Sequence, residues 1–331
     1  MAILLVVTGH SYGTWEQDLL IEQTAANIIT GATALFVFIS GFFFDAIFIR
    51  DFNYRAFMQK KAQKVLLPYL ILATGYLAFY FMLHGEVPFP FALSDNTTTQ
   101  SLLALLLDVI SGRTLIAYWY IPFVMLVFLA SPMFLRYSRL GKHQAIGVLV
   151  LSFAASMVFH RSPFSLNPLH SFLYFTPFYL FGMFYSRYRQ GIDIWLNGKA
   201  SWISAAAITT AAAMSALGQF GNIEKWNPFA WNGLDLMVPQ KILLILASLS
   251  AFMKLQSYNL KLANHIANAS FAIFFLHPWV LVALDFFGLD KALTGFWGFI
   301  VRATLLTTLS LAAAEVIKRV AGRHSRFLIG Y

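Results

Sequence analysis

The feature that most constrains this chain is a recurring apolar run of about 20 residues, the length a helix needs to cross the hydrocarbon core of a bilayer. Such runs fall near residues 1–14, 29–49, 62–83, 117–135, 144–160, 171–187, 200–217, 237–256, 265–286 and 293–317. They are continuous rather than alternating, which excludes a transmembrane β-barrel. The chain is 59% hydrophobic and 11% charged, whereas a soluble domain carries about 25% charge. The expected fold is all-α: a polytopic transmembrane helical bundle of about ten spans, organised as one integral-membrane domain over residues 1–331. SLLALLLDVISG at 101–112 is too short to cross and reads as an interfacial or re-entrant helix. MAILLVVTGH has no basic segment and no cleavage site, so it reads as a span that starts late rather than as a signal peptide. No inverted repeat of the transporter kind is visible.

The charges sort by loop. Arg50, Arg55, Lys60, Lys61 and Lys64 lie between the second and third runs, Arg136, Arg139 and Lys142 follow the fourth, and Arg187, Arg189 and Lys199 follow the sixth. Lys254 and Lys261 follow the eighth, and Lys318, Arg319, Arg323 and Arg326 form the tail. These are alternate connections, and they hold 17 of the 23 basic residues. Basic residues collect in cytoplasmic loops, so both termini are expected to be cytoplasmic. This placement accounts for the net charge of +9 without nucleic acid as a partner. With no cysteine in the chain, disulfides, thiolate nucleophiles and cysteine metal sites are excluded. The loops at 85–100 and 218–236, rich in Pro, Asn, Gly and aromatics, fall on the outer side, where they would cover a site or cap helices. Asn96 begins a glycosylation acceptor sequence in the first of them.

Counting about 1.5 Å per residue from the helix ends places His10, Ser40, His277 and Arg302 in one layer near mid-membrane. Polar and ionisable groups at that depth are costly and are held in the bundle interior, where they pair or line a cavity. Each has two readings. His277 is an interhelical hydrogen-bonder or a catalytic group. Ser40-Gly41 is a close helix contact or part of the chemistry, and Arg302 pairs with a carbonyl or serves a site. His10 is the strongest candidate: in VTGHSYG, residues 7–13, Gly9 gives access and Thr8 and Ser11 offer orienting hydroxyls. Two histidines in one layer permit one base and one helper. The remaining histidines, His84, His143, His160, His170, His265 and His324, show no metal-ligand spacing, and no metal is expected. RAFMQKKAQK at 55–64 is by default an anchor to anionic membrane lipids, and in its functional reading a phosphate-binding mouth.

LLVVTGHSYG, ALFVFISGFFF at 34–44, KKAQKVLLPYL at 60–70, YWYIPFVMLVFLASPMF at 118–134, FYLFGMFY at 178–185 and NASFAIFFLHPWV at 268–280 together resemble the ordered motifs of the membrane acyltransferase 3 family. The resemblance covers most of the chain. It implies an integral-membrane O-acyltransferase, an acetyl-CoA-dependent O-acetyltransferase in its commonest form, acting on an extracytoplasmic glycan or lipid-linked saccharide. The implied location is a bacterial inner membrane. The family's first-span histidine maps onto His10, its Ser-Gly pair onto Ser40 and Gly41, its basic-to-proline element onto Lys64 and Pro68, and its late histidine onto His277. Two departures are visible. The family's arginine, about ten residues before the first-span histidine, would fall upstream of Met1, which predicts an in-frame extension completing the first span. The basic-to-proline element carries lysines where arginine is common.

On this reading His10, as a neutral imidazole, takes the proton of the attacking hydroxyl. Ser40, His277 or Arg302 supplies donors to the developing oxyanion. Arg55, Lys60, Lys61 and Lys64, with Arg136 and Arg187, hold the phosphates of acyl-CoA, which is a substrate and not a prosthetic group. Trp119 and Arg302 are the expected acceptor contacts. The rival readings are a transporter or flippase for a glycan or lipid, in which the same layer binds substrate without covalent chemistry, and a non-catalytic subunit of an envelope-assembly complex.

Overall fold

A computed structural model describes residues 1–13, 15–85, 97–163, 167–255, 258 and 260–331, with residues 97–102 described for their backbone alone. Residues 86–96, which hold most of the loop at 85–100 and Asn96 of the acceptor sequence, lie outside the described residues.

The described chain is helical throughout. It runs α1 (Ala2–Gly9), α2 (Leu20–Ile29), α3 (Thr33–Phe43), α4 (Tyr54–Lys61), α5 (Leu67–His84), α6 (Thr97–Ser111), α7 (Tyr120–Leu129), α8 (Ser131–Ser138) and α9 (Lys142–Phe159). Then follow α10 (Pro168–Leu196), α11 (Ala200–Ala216), α12 (Met237–Leu255), α13 (Lys261–Asn268), α14 (Ser270–Phe286), α15 (Leu289–Ala292), α16 (Gly295–Ala321) and α17 (Ser325–Leu328). Wider π turns carry α3 on through Phe44–Phe48 and join α4 to α5 through Ala62–Leu66.

Every expected apolar run overlaps a helix, but the runs differ in what they build. By length and composition, five helical stretches among the described residues suffice to cross a bilayer: Leu20–Phe48, Tyr54–His84, Lys142–Phe159, Met237–Leu255 and Gly295–Leu328. The count reaches seven if each bent pair is one span, α7 with α8 at 56° and α13 with α14 at 74°. The bend between α7 and α8 has a local cause, since Pro132 sits in the first turn of α8 and lacks the amide that would continue α7. Three expected spans fall outside this set for separate reasons. α1 has only eight residues, α11 has 17, and the long α10 is diluted by Tyr, Ser, Thr, His and Pro.

The core is aromatic and is centred where α3 crosses α10. Gly41 and Gly182 make that crossing: a Cβ on Gly41 would lie 2.0 Å from the Tyr179 carbonyl oxygen, and one on Gly182 would lie 2.0 Å from that of Phe38. Two backbones approach this closely only where neither carries a side chain. The packing reading of the Ser40-Gly41 pair thus holds for its glycine.

Candidate active site

α1 ends at His10, beyond which the chain turns through Gly13 in a left-handed conformation with φ of +55°. The hydroxyls of Thr8 and Ser11 bond back to the carbonyls of Leu4 and Val7, both at 2.7 Å, and so stabilise the helix end rather than orient the ring. The ring is oriented from across the bundle. His10 Nδ1 lies 2.9 Å from His277 Nε2, with the ring centroids 5.2 Å apart and the planes within 4°. A short N···N contact with coplanar rings is an edge-to-edge hydrogen bond, not a stack.

The protons in this pair follow from its far end. His277 Nδ1 lies 3.0 Å from the carbonyl oxygen of Ile273, one turn back on α14. A carbonyl only accepts, so this nitrogen carries the hydrogen. In neutral His277, Nε2 is then a bare acceptor, and His10 Nδ1 must be the donor to it. Neutral His10 is left with its lone pair on Nε2. His277 is fully buried and held at both ring nitrogens, and Pro278 after it lacks the amide that would bond back along α14.

His10 lies on the wall of a cavity of about 450 Å³. α1 contributes Leu5 and Val6, the end of α2 contributes Ile29 and Thr30, and α3 contributes Phe36. The segment into α7 contributes Arg113, Trp119 and Tyr120, the turn after α9 contributes Arg161, the segment before α12 contributes Phe220, Gly221, Asn222 and Glu224, and α14 contributes Phe274. Ala117 and His160 stand in left-handed backbone, with φ of +74° and +56°. They immediately precede Tyr118-Trp119 and Arg161. Such conformations cost non-glycine residues about 1–3 kcal/mol and cluster at functional sites.

Arg161 is the residue that sequence reading missed. Its guanidinium lies 4.7 Å over the ring of Trp119 and donates to Asn222. Its backbone pairs with the segment before α12, with its amide donating to Ile223 O at 3.2 Å and its carbonyl accepting from Lys225 N at 2.9 Å. Behind the wall, Lys241 is fully buried and donates to the carbonyls of Asn27 and Ile28 at 2.8 and 3.1 Å. These are among the last carbonyls of α2, which have no amide partner within the helix and attract a cation. Asn27 donates to Ala211 O, Ser215 Oγ and Gln219 O and accepts from Gly221 N at 3.0 Å, tying α2 to α11 and to the pocket wall. A signal for these residues exists in the sequence: Arg161 and Lys241, with Arg113, Lys225, Lys291 and Arg302, are the basic residues that the alternate-loop pattern leaves over.

The expected site residues divide into four groups. His10 and Trp119 line the pocket, and His277 stands behind His10, bonded to its ring. Ser40 lies one turn beyond Phe36 on α3, near the hydroxyl of Tyr120, and does not itself line the pocket. Arg302 stands apart: it packs against Gly13, pairs with Asp290 Oδ1 at 2.5 Å and donates to Asp290 O at 3.0 Å. The basic residues gather at the other end of α3, about 18 Å along the helix axis from Phe36 to Phe48. There Arg55, Lys60, Lys64 and Arg136 are exposed. Lys61 is not, because its Nζ lies 4.3 Å over the ring of Phe128 and 5.2 Å over those of Phe48 and Phe57. Arg187 is committed to the end of α8, donating to the carbonyls of Ser138 and Leu140.

The family profile described as an acyltransferase domain, acyltransferase 3, matches residues 1–319, a stretch that includes both histidines and the whole pocket wall. No curated protein and no solved structure matches the chain. A match over nearly all of an apolar helical bundle places this chain in the acyltransferase 3 family, as a membrane acyltransferase.

Proposed function

We propose that the protein transfers an acyl group, acetyl in its commonest form, from acyl-CoA on the cytoplasmic side to a hydroxyl of a glycan or lipid-linked saccharide on the other side of a bacterial inner membrane. His10 is the general base in this reading. The observation that carries it is the bond between the two histidines, which leaves His10 with an unprotonated Nε2 on the wall of the pocket. A sugar hydroxyl is a weak nucleophile. As its oxygen attacks the thioester carbonyl, its proton passes to Nε2, and the C–S bond then breaks to release the CoA thiol, which recovers the proton. While His10 is an imidazolium, its Nδ1–H bond to His277 becomes charge-assisted and stronger. His277 is therefore a positioning residue. Arg161 and Tyr120, both on the wall, are the donors best placed for the developing oxyanion, and Arg302, held by Asp290, serves the fold.

Topology extends the reading. With the basic loops cytoplasmic and ten spans in all, the pocket end of α3 faces outward and the Arg55–Lys64 end faces the donor. Exposed Arg55, Lys60, Lys64 and Arg136 would meet the nucleotide phosphates. α7 spans the interval, with Trp119 and Tyr120 beside its first turn and Phe128 beneath Lys61 near its end. The pantetheine arm would follow it. Transfer of labelled acetyl from acetyl-CoA to envelope glycan in membranes carrying His10→Asn tests the base. Asparagine keeps a polar group but takes no proton, and the rate should fall about 10²–10⁴-fold at unchanged protein abundance. Retention of most of the wild-type rate would make His10 a structural hydrogen-bonder.

A further inference from the structure

The segment between α11 and α12 has two edges of opposite character. Its inner edge, Phe220 to Glu224, is pocket wall, pinned by Asn27 and Arg161. Its outer edge carries Trp226, Phe229 and Trp231, exposed by 67, 75 and 69%. Exposed apolar side chains on the helices of a bundle are accounted for by lipid tails, but these three stand on irregular backbone. Such backbone is not tolerated facing hydrocarbon, where its amides and carbonyls would lack water. Three large rings standing in bulk water are equally unfavourable, since each leaves apolar area unburied at about 25 cal/mol per Å². The headgroup layer satisfies both demands, because it is wet enough for the backbone and apolar enough for the rings, and Trp is enriched there for that reason.

Two further observations agree. The segment leaves α11 and enters α12, an apolar helix long enough to cross, so its ends already lie at a membrane boundary. The tip also satisfies part of its own backbone, with Phe229 N donating to Asn227 Oδ1 at 2.9 Å and Asn232 Nδ2 donating to Ala230 O at 3.1 Å, while Lys225 beside it offers a cation to lipid phosphate.

We propose that residues 226–231 are an interfacial anchor seated among phospholipid headgroups, and that through residues 220–225 this anchor sets the pocket wall at the level of the membrane surface. A substrate reaching His10 would then be presented from the headgroup layer rather than from bulk solution. The anchor rests on the chain spanning a membrane and not on the acyl chemistry, so it is tested without turnover. The chain has no cysteine, and Asn232→Cys therefore carries a single environment-sensitive fluorophore. The full-length labelled protein is reconstituted in phosphatidylcholine vesicles whose acyl chains are brominated near the headgroup or near the terminal methyl. The expected result is blue-shifted emission, quenched most by the shallow bromines and only weakly by aqueous iodide. Trp231→Cys, labelled in the same way, should repeat it. Adding Trp226→Ser and Phe229→Ser to the Asn232→Cys protein should shift the quenching toward iodide. Strong iodide quenching of the Asn232→Cys label with none from either lipid would put the tip in water. Strongest quenching from the deep bromines would put it in hydrocarbon, and quenching by none of the three would mean that protein covers it. Each of these outcomes overturns the proposal.

Discussion

At one end of α3, Phe36 faces a pocket whose wall is drawn from helices hundreds of residues apart in sequence, and at the other, Phe48 lies under Lys61 in a basic run that is contiguous along the chain. The pocket end is cross-linked by buried polar groups: His10 to His277, Asn27 to three carbonyl or hydroxyl partners, and Lys241 to the end of α2. The basic end is mostly exposed charge on one helix, with one lysine caged by rings. The difference predicts how each end responds to damage. A buried network transmits the loss of one member to several elements, whereas exposed charges act singly and are screened by salt.

The largest expected effects lie at the pocket. Beside the loss for His10→Asn, His277→Asn should lower turnover by about 10²–10⁴-fold, the scale of a general base left without the acceptor that fixes its tautomer. If His277 only positions His10, the deficit should appear in kcat with the donor KM little changed. An equal loss in a variant that keeps the His10 tautomer by another acceptor, His277→Gln, would point instead to a direct role in the chemistry.

Lys241→Met sharpens the comparison from the side of stability. It removes the cation from two carbonyls of α2 in a fully buried site, and a lost buried partner costs about 1–3 kcal/mol. A lower melting temperature in detergent, together with a raised acceptor KM, is expected. An unchanged KM would separate Lys241 from the pocket wall. Gly182→Ala should destabilise by about 1–3 kcal/mol through overpacking at the α3–α10 crossing, again read by thermal unfolding.

The smallest effects should come from the basic end. Arg55→Ala, Lys60→Ala and Lys64→Ala should each raise the donor KM only a few-fold, as expected for exposed charges worth about 0.2–1 kcal/mol, and the differences should shrink in high salt. Lys61→Met should depart from this pattern, because its ammonium lies over three rings and such contacts contribute about 0.5–2 kcal/mol to the fold. Its loss should show in thermal stability more than in donor affinity. Single cysteines at Ser138 and Asn232 should label from opposite sides of the membrane, and labelling from one side would break the assignment of the two ends to two compartments.

The sequence by itself determined the helical class, the basic loop and the candidacy of His10, because hydrophobic length, charge placement and helical rise are properties of neighbouring residues. It also pointed to His277 by depth, but depth does not say which histidines meet. Only the tertiary structure decided that His10 Nδ1 faces His277 Nε2, that Arg302 turns to Asp290 while Arg161 joins the pocket, and that Lys61 is caged where its neighbours are free to face solvent. The reason is physical: these outcomes depend on which helix faces meet across the bundle, and that is settled by backbone approach at sites such as Gly41 and Gly182, and by the need of every buried polar group for a partner from another element.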